Sequence, residues 1–175
     1  DILRATTTIC TALQNGASFV YPVETLEEAS RLKQNGYLAA AERNGQKVEG
    51  FDMGNSPAEY TKEAVEGQSI VLTTTNGTRC IRLSDASSQI IAGAFSNISS
   101  LVDYLKKDEH DLLLFCAGWK NKVNLEDTLF AGALAQRLKG DYTWDDDAVE
   151  MASDLYLGAK KKLNTYVKKA ANAKR

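Results

Sequence analysis

The segment Thr73-Thr74-Thr75-Asn76-Gly77-Thr78-Arg79 gathers hydroxyls, an amide, a glycine and a guanidinium group at one point of the chain. It follows the apolar run Ile70-Val71-Leu72, which reads as a buried strand, and precedes a predicted helix through Cys80, Ile81 and Leu83. Backbone N–H groups at a helix start point toward a ligand, and the helix dipole favours negative charge there. The chain opens on a similar phrase, Asp1-Ile2-Leu3-Arg4-Ala5-Thr6-Thr7-Thr8. Two triple-threonine segments, each with an arginine beside a helix start, point to one strongly anionic ligand. Thr is also a good strand former and a common helix cap, so a structural role for each segment stays open.

Arginine suits such a ligand because its planar fork gives two parallel hydrogen bonds to a phosphate or sulfonate. Arg4, Arg43 and Arg79 each fall in a loop or helix start at the expected sheet edge, whereas Arg31, Arg82 and Arg137 fall within helices. Between Glu42 and Pro57 lies a glycine-rich stretch without periodicity, containing Gly54-Asn55-Ser56-Pro57, which reads as a long loop with Ser56 as a helix cap and Pro57 in the first turn. Loops of that length are functional or disordered in most compact domains, and Phe51 and Met53 suggest that this one is packed.

Carboxylates supply the other half of the chemistry. Asn124-Leu125-Glu126-Asp127 admits two accounts. In one, Asn124 caps a helix and the two acids favour its positive end. In the other, Asp1 meets Glu126 or Asp127 at one sheet edge and the group holds a hard cation such as Mg²⁺, which takes carboxylate and water oxygens and bridges to substrate phosphate.

Several devices are absent. The single histidine, His110, sits in a polar connection, so no Ser-His-Asp triad or zinc cluster can be assembled, and neither G-x-x-x-x-G-K-[ST] nor G-x-G-x-x-G occurs. Cys116 ends an apolar strand and reads as a buried strand cysteine more readily than as a nucleophile. A net charge of −2 argues against a nucleic-acid or anionic-membrane partner. No apolar run reaches the ~20 residues that span a bilayer. Three cysteines without metal-like spacing and no visible signal peptide favour a reduced, cytoplasmic setting.

The elements that must position these residues alternate. Helices are predicted over Thr7–Leu13, Glu24–Gln34, Thr78–Leu83, Ile98–Lys107, Asn124–Leu138 and Asp145–Ala173. Strands are predicted over Ser18–Val23, Tyr37–Ala41, Ser69–Leu72, Gln89–Ala92 and Asp111–Cys116. The order favours an α/β layer structure with a largely parallel sheet, whose functional loops lie at the carboxyl ends of the strands. A length of 175 residues, 43% hydrophobic and 25% charged, fits one domain over 1–175. Because the chain opens on Asp1 in what reads as the end of a strand, it is expected to be a fragment at its N-terminus, and at its C-terminus as well.

Taken in order, these phrases resemble the 2-phosphosulfolactate phosphatase family. The matching segments are Asp1–Thr8, the Glu42–Pro57 loop with Gly50-Phe51-Asp52-x-Gly54-Asn55-Ser56-Pro57, Thr73–Thr78, Gly93-Ala94-Phe95-Ser96-Asn97, Cys116-Ala117-Gly118 and Leu125-Glu126-Asp127. They run from about Asp1 to Leu138; the stretch Trp119–Asn124 and the C-terminal helix carry little of the likeness.

The resemblance implies a three-layer α/β/α fold with a largely parallel or mixed sheet, a bound magnesium, and hydrolysis of (R)-2-phospho-3-sulfolactate to (R)-3-sulfolactate and phosphate in coenzyme M and sulfolactate biosynthesis. Asp1, Arg4 and Glu126 are then the candidate catalytic residues, and Asp1, Glu126 and Asp127 the candidate metal ligands. Arg4, Thr6, Thr7, Thr8, Arg43, Asn55, Ser56, Thr74, Thr75, Asn76, Gly77, Thr78 and Arg79 are the candidate substrate-binding residues. The partner is a small anionic phosphorylated sulfonate, with neither nucleic acid nor membrane, and a homo-oligomer is admitted. Two alternatives stay open: a phosphatase of another small phosphorylated carboxylic acid, and a non-catalytic anion-binding domain.

Overall fold

The structure is a computed structural model that describes residues 1–170. It resolves into two compact units, one of Leu3–Ala92 and one of Asp1–Ile2 with Gly93 onward.

The Leu3–Ala92 unit is built on a four-stranded mixed sheet. Its elements are α1 (Ala5–Gln14), β1 (Phe19–Pro22), α2 (Leu26–Gln34), β2 (Leu38–Arg43), β3 (Gln46–Lys47), α3 (Lys62–Val65), β4 (Ser69–Thr73) and α4 (Gly77–Leu83). The spatial order is β1-β4-β2-β3. Strand β4 pairs in parallel with β1, Phe19 opposite Ser69, and with β2, Ala41 opposite Thr73. Successive residues of a strand point to opposite faces, and both faces of this sheet are covered. Ile70 and Leu72 pack with Ile9 and Ala12 of α1, Val65 and Tyr60. Val71 and Ala39 pack with Val23 and Ala29 of α2. The sheet of this unit therefore lies between helical layers, as the α/β expectation requires.

Local chemistry sets the boundaries. The hydroxyl of Thr25 accepts the N–H of Glu28 at 3.1 Å and starts α2. Asn15-Gly16 and Asn35-Gly36 stop α1 and α2, with both glycines at positive φ. Helix α1 begins at Ala5, two residues before the expected start at Thr7, so Thr6 lies inside it with Thr7 and Thr8. Burial of Ala5, Thr8, Ile9 and Ala12 along one helix face outweighs the weak helix propensity of threonine.

The expected long loop after Ala41 is also different. Strand β2 continues to Arg43, turns through Asn44 and Gly45 at φ 56° and 80°, and returns as β3, with Glu42 opposite Lys47. Asn-Gly suits a two-residue hairpin turn because both central residues need positive φ. Beyond β3 the chain folds back on β2: the N–H of Ala41 donates to Met53 O at 3.0 Å, and that of Asp52 to Ala39 O at 2.9 Å. Ser56 precedes only a short 3-10 turn, Pro57–Glu59, and its side chain makes no cap bond.

The other unit contains α5 (Ile98–Leu105), α6 (Leu125–Leu138), α7 (Asp147–Ala159) and α8 (Leu163–Val167). Ile2, Leu101, Val102, Leu105, Phe130, Leu134 and Leu138 form its core, with Leu112 and Leu114 packed against it. The strands expected over Gln89–Ala92 and Asp111–Cys116 do not form. In the second segment Leu112 and Leu114 turn toward the core while Leu113 and Phe115 are 80% and 48% exposed, which is strand-like alternation without a ladder. A strand exists only where another chain segment supplies its hydrogen bonds, and no periodicity reports that partner. Cys116 is exposed, not buried as expected. The expected last helix, Asp145–Ala173, starts at Asp147 and is broken by a 3-10 turn over the successive cations Lys160–Lys162; its final residues lie outside the described ones. Asp146 caps α7 by accepting the N–H of Ala148 at 2.8 Å.

Helices α6 and α7 meet at Gly132. A Cβ added there would sit 1.9 Å from the carbonyl oxygen of Ala152, a backbone atom that cannot turn aside. Gly132→Ala should therefore destabilise the protein by about 1–3 kcal/mol through overpacking. Gly158→Ala, whose nearest neighbour is the hydroxyl of Tyr166 at 4.0 Å, should be neutral or stabilising by up to ~1 kcal/mol through helix propensity. Urea denaturation of the two variants checks the contrast.

A pH effect belongs to Asp52. Its carboxylate accepts the Ala39 N–H at 2.9 Å and the Lys33 ammonium at 2.7 Å. Partial burial pushes its pKa up, but the bonds from Lys33 and Ala39 and the charges of Lys33 and Lys47 outweigh that and leave it below the ordinary carboxylate range. A depressed carboxylate stabilises the fold fully above its unfolded pKa, near about 4, and that contribution is lost as pH falls through the folded value. The gap in melting temperature between wild type and Asp52→Asn should thus be widest at neutral pH and close as pH falls through the folded pKa, below the ordinary carboxylate range. Thermal melts across that range test it.

Candidate functional site

Three parallel strand ends carry the polar groups of the Leu3–Ala92 unit. At the end of β4, Thr74 and Thr78 bind each other's backbone: the N–H of Thr78 donates to Thr74 Oγ1 at 3.2 Å, and Thr78 Oγ1 donates to Thr74 O at 2.8 Å. The turn that leads into α4 is thereby closed by its own hydroxyls. Both residues are buried, and so is Gly77 between them. Thr75 and Arg79 are exposed and Asn76 is half-buried.

Arg43 ties the three ends together. Its guanidinium donates to Thr73 Oγ1 at 3.0 Å, to Glu42 O at 2.7 Å and to Glu24 O at 3.3 Å, and Glu24 follows β1. Thr73 Oγ1 donates in turn to Glu24 O at 3.2 Å. Arg4, at the start of α1, donates to the carbonyl of Gly45 in the hairpin turn at 2.9 Å. Thr8 is fully buried and its hydroxyl donates to Asn55 O at 3.2 Å. Thr6, Thr7 and Ser56 are half-buried.

Gly54, immediately before Asn55, is held at both ends of the residue. Its N–H donates to Glu59 at 2.8 Å, and Tyr60 Oη donates to Gly54 O at 2.7 Å. Burial first, and then the charge of Glu59, push the Tyr60 phenol well above the ordinary tyrosine range, so it stays a donor. Asn55 itself is 5% exposed, and its Oδ1 is buried without a hydrogen-bond partner. Buried polar groups are nearly always satisfied, so such an atom marks a place where a ligand or water completes the set.

The sequence reasoning missed Glu42 in this unit. Only 8% exposed, its carboxylate accepts the N–H of Gly45 through Oε1 and the N–H of Thr75 through Oε2 at 3.4 Å. The signal was the acid standing immediately before Arg43 at a strand end.

In the other unit the start of α6 separates the roles of the two acids. Asn124 caps the helix, its Oδ1 accepting the Asp127 N–H at 2.8 Å. Asp127 is buried and its carboxylate is filled by donors: the Ile2 N–H at 2.9 Å, the Gly118 N–H at 2.9 Å and Asn124 Nδ2 at 3.2 Å. It therefore anchors Asp1–Ile2 and the turn Trp119–Lys122 at the start of α6. Gly118 is required in that turn, because it has φ 69° and an added Cβ would lie 2.6 Å from Lys122 O. Neither Gly118 nor the Ile2 amide was expected as a partner of Asp127. Glu126 differs from its neighbour: it is 2% exposed, and neither carboxylate oxygen has a hydrogen-bond partner among the described residues. His110 is exposed beside Asp108, whose hydrogen bond and charge raise the imidazole pKa.

Fold and strand-end chemistry together define an α/β protein whose sheet edge is dense in hydroxyl, amide and guanidinium groups. The chain belongs to the 2-phosphosulpholactate phosphatase family, whose profile matches residues 1–175. It is 56% identical over 139 residues to a probable 2-phosphosulfolactate phosphatase of Thermotoga petrophila, covering 79% of this chain and 60% of that protein. It is 43% identical over 157 residues to one of Caldanaerobacter subterraneus, covering 87% of this chain and 65% of that protein. A third, from Pseudothermotoga lettingae, is 40% identical over 162 residues, covering 93% of this chain and 69% of that protein. The chain thus spans about two thirds or less of the length of the first two relatives.

Asp127→Asn should loosen the Gly118 turn, because an amide nitrogen would face an N–H donor. The expected cost is about 1–3 kcal/mol, the range for a buried hydrogen-bonding group left without a partner. Hydrogen exchange at the Gly118 amide, read beside a thermal melt, should show lost protection there.

Proposed function

We propose that this protein hydrolyses the phosphate ester of (R)-2-phospho-3-sulfolactate, releasing (R)-3-sulfolactate and phosphate, in a magnesium-dependent reaction of coenzyme M and sulfolactate biosynthesis in the cytoplasm. Family membership supports the reaction class and the substrate. The observation that carries the cation is Glu126, a buried carboxylate with both oxygens unpartnered. A lone buried carboxylate is costly unless a cation neutralises it. Hard oxygen donors are what Mg²⁺ takes.

Glu126 would hold the ion with Asp1. Asp127 would act as a positioning residue, since its oxygens already accept the N–H groups that anchor Asp1–Ile2 and Gly118. When bound, such an ion would supply positive charge and lower the pKa of a coordinated water. The substrate carries a phosphate, a carboxylate and a sulfonate. Arg4, Arg79, the half-buried Thr6 and Thr7 and the Thr75–Thr78 turn would bind these groups through N–H, O–H and guanidinium donors. Phosphoryl transfer is mostly positioning and charge stabilisation, so a rigid donor set suits it. The closed Thr74–Thr78 turn, the Arg43 ties and the Thr8 bond supply that rigidity.

Phosphate release from 2-phosphosulfolactate, with other phosphorylated carboxylic acids as comparison, is the test. Activity should vanish on chelation and return with Mg²⁺. Glu126→Gln should raise the Mg²⁺ concentration required at least about tenfold and abolish the Mg²⁺-dependent rise in melting temperature that ligand binding to the native state produces. Without Mg²⁺ the variant should be as stable as wild type or more so, because a buried unpaired charge has been removed. A Glu126→Gln protein that melts lower in the absence of metal and keeps the wild-type Mg²⁺ response would favour the purely helix-terminal role for this residue.

A further inference from the structure

The carboxylate of Glu42 lies at the centre of the Leu3–Ala92 strand ends, and no step above uses it. It is buried, and both of its oxygens accept backbone N–H groups from two different loops. One is Gly45 of the hairpin turn, the other Thr75 of the turn before α4. The sheet register explains the second contact. Ala41 of β2 stands opposite Thr73 of β4, so the next residue of β2 emerges beside the chain that leaves β4. The first contact follows from the Asn44-Gly45 turn, which folds the Gly45 N–H back over the strand it has just left.

The link extends further. The peptide group of Gly45 is gripped at both ends, its N–H by Glu42 and its carbonyl by Arg4 at 2.9 Å. Glu42 O accepts from Arg43 at 2.7 Å. One side chain thus sets the spacing between the start of α1, the hairpin turn and the threonine turn. We infer that Glu42 is a positioning residue for the reaction proposed above: it holds Gly45, and through it Arg4, in fixed register with the Thr75 turn, so that donors on separate loops meet one anionic substrate. This rests on the phosphatase reading. It is an uncommon choice of residue for an anion site, since a carboxylate there opposes ground-state binding of an anion. That opposition makes its geometric and electrostatic roles separable.

Two variants separate them. Glu42→Gln removes the charge and leaves one acceptor oxygen, its amide nitrogen facing an N–H donor. Glu42→Asp keeps the charge but shortens the reach, so its oxygens cannot span Gly45 and Thr75 together. In the full chain, both should lower kcat for phosphate release from 2-phosphosulfolactate by on the order of 10- to 100-fold, the scale of a loss from displaced catalytic groups. In Glu42→Gln, KM should hold or fall, because the repulsion is gone. The ¹H–¹⁵N signals of Gly45 and Thr75 should shift in both. A faster Glu42→Gln with an unchanged Glu42→Asp would reduce the residue to a charge effect and overturn the inference. Lower melting temperatures with unchanged kcat would do the same, leaving Glu42 a purely structural residue. If wild type releases no phosphate, the phosphatase reading fails, and binding of inorganic phosphate decides the placement. Weaker binding by Glu42→Asp then sustains it, and unchanged binding overturns it.

Discussion

Parallel pairing of β4 with strands on both sides sets the position of the polar groups at the strand ends of the Leu3–Ala92 unit. Strand β4 is enclosed on both sides: Ile70, Val71 and Leu72 are buried on alternating faces, and its backbone bonds run to β1 and β2. A buried backbone cannot give up those bonds cheaply. The register is therefore rigid, and a slip of one residue would turn Ile70 and Leu72 to the wrong face. Because the three strands are parallel, their carboxyl ends emerge together, which is why Glu24, Arg43 and Thr73 come within hydrogen-bonding reach although they are far apart in sequence.

The buried polar groups fall into two kinds. Thr8, Thr73, Thr74, Thr78 and Asp127 are satisfied by other groups of the chain, near in sequence for Thr74 and Thr78 and distant for Thr8 and Thr73. Their contribution is to hold turns in one shape, and a satisfied buried network specifies a unique local structure. Asn55 and Glu126 are the reverse, each buried with an unpartnered oxygen. Thr8, Thr73 and Thr74, half of the triple threonines that stand out in the sequence, thus belong to the first kind. Threonine favours these turns because its hydroxyl can replace a missing backbone partner, as it does between Thr74 and Thr78.

In the helical unit the governing contact is steric. With glycine at position 132, α6 approaches α7 until the backbone of Ala152 occupies the space of a missing side chain. The helix whose first turn carries Glu126 and Asp127 is seated by that approach and by the packing of Phe130, Leu134 and Leu138. Gly93, beneath the ring of Phe130, is a second place where the absence of a side chain admits a neighbour.

Much of the protein was legible in the residues alone. Apolar runs and their punctuation by Asn-Gly located α1, α2, β1, β2 and β4 to within a few residues, because local propensity and burial act in the same direction there. The capping of α6 by Asn124 was equally readable, since a cap is a bond between near neighbours. The resemblance to the phosphatase family rested on ordered motifs, which survive without any knowledge of the fold. What the residues could not report were pairings across distance. Gln89–Ala92 and Asp111–Cys116 have the composition of strands yet gain no ladder. Glu42 looked like an ordinary loop acid, and Asp127 looked like the equal of Glu126. Only tertiary structure decided that Asp127 would be filled by amides from Ile2 and Gly118 while Glu126 would be buried with none. Helix periodicity determines which way a side chain points, but the donors that await it come from wherever the chain returns.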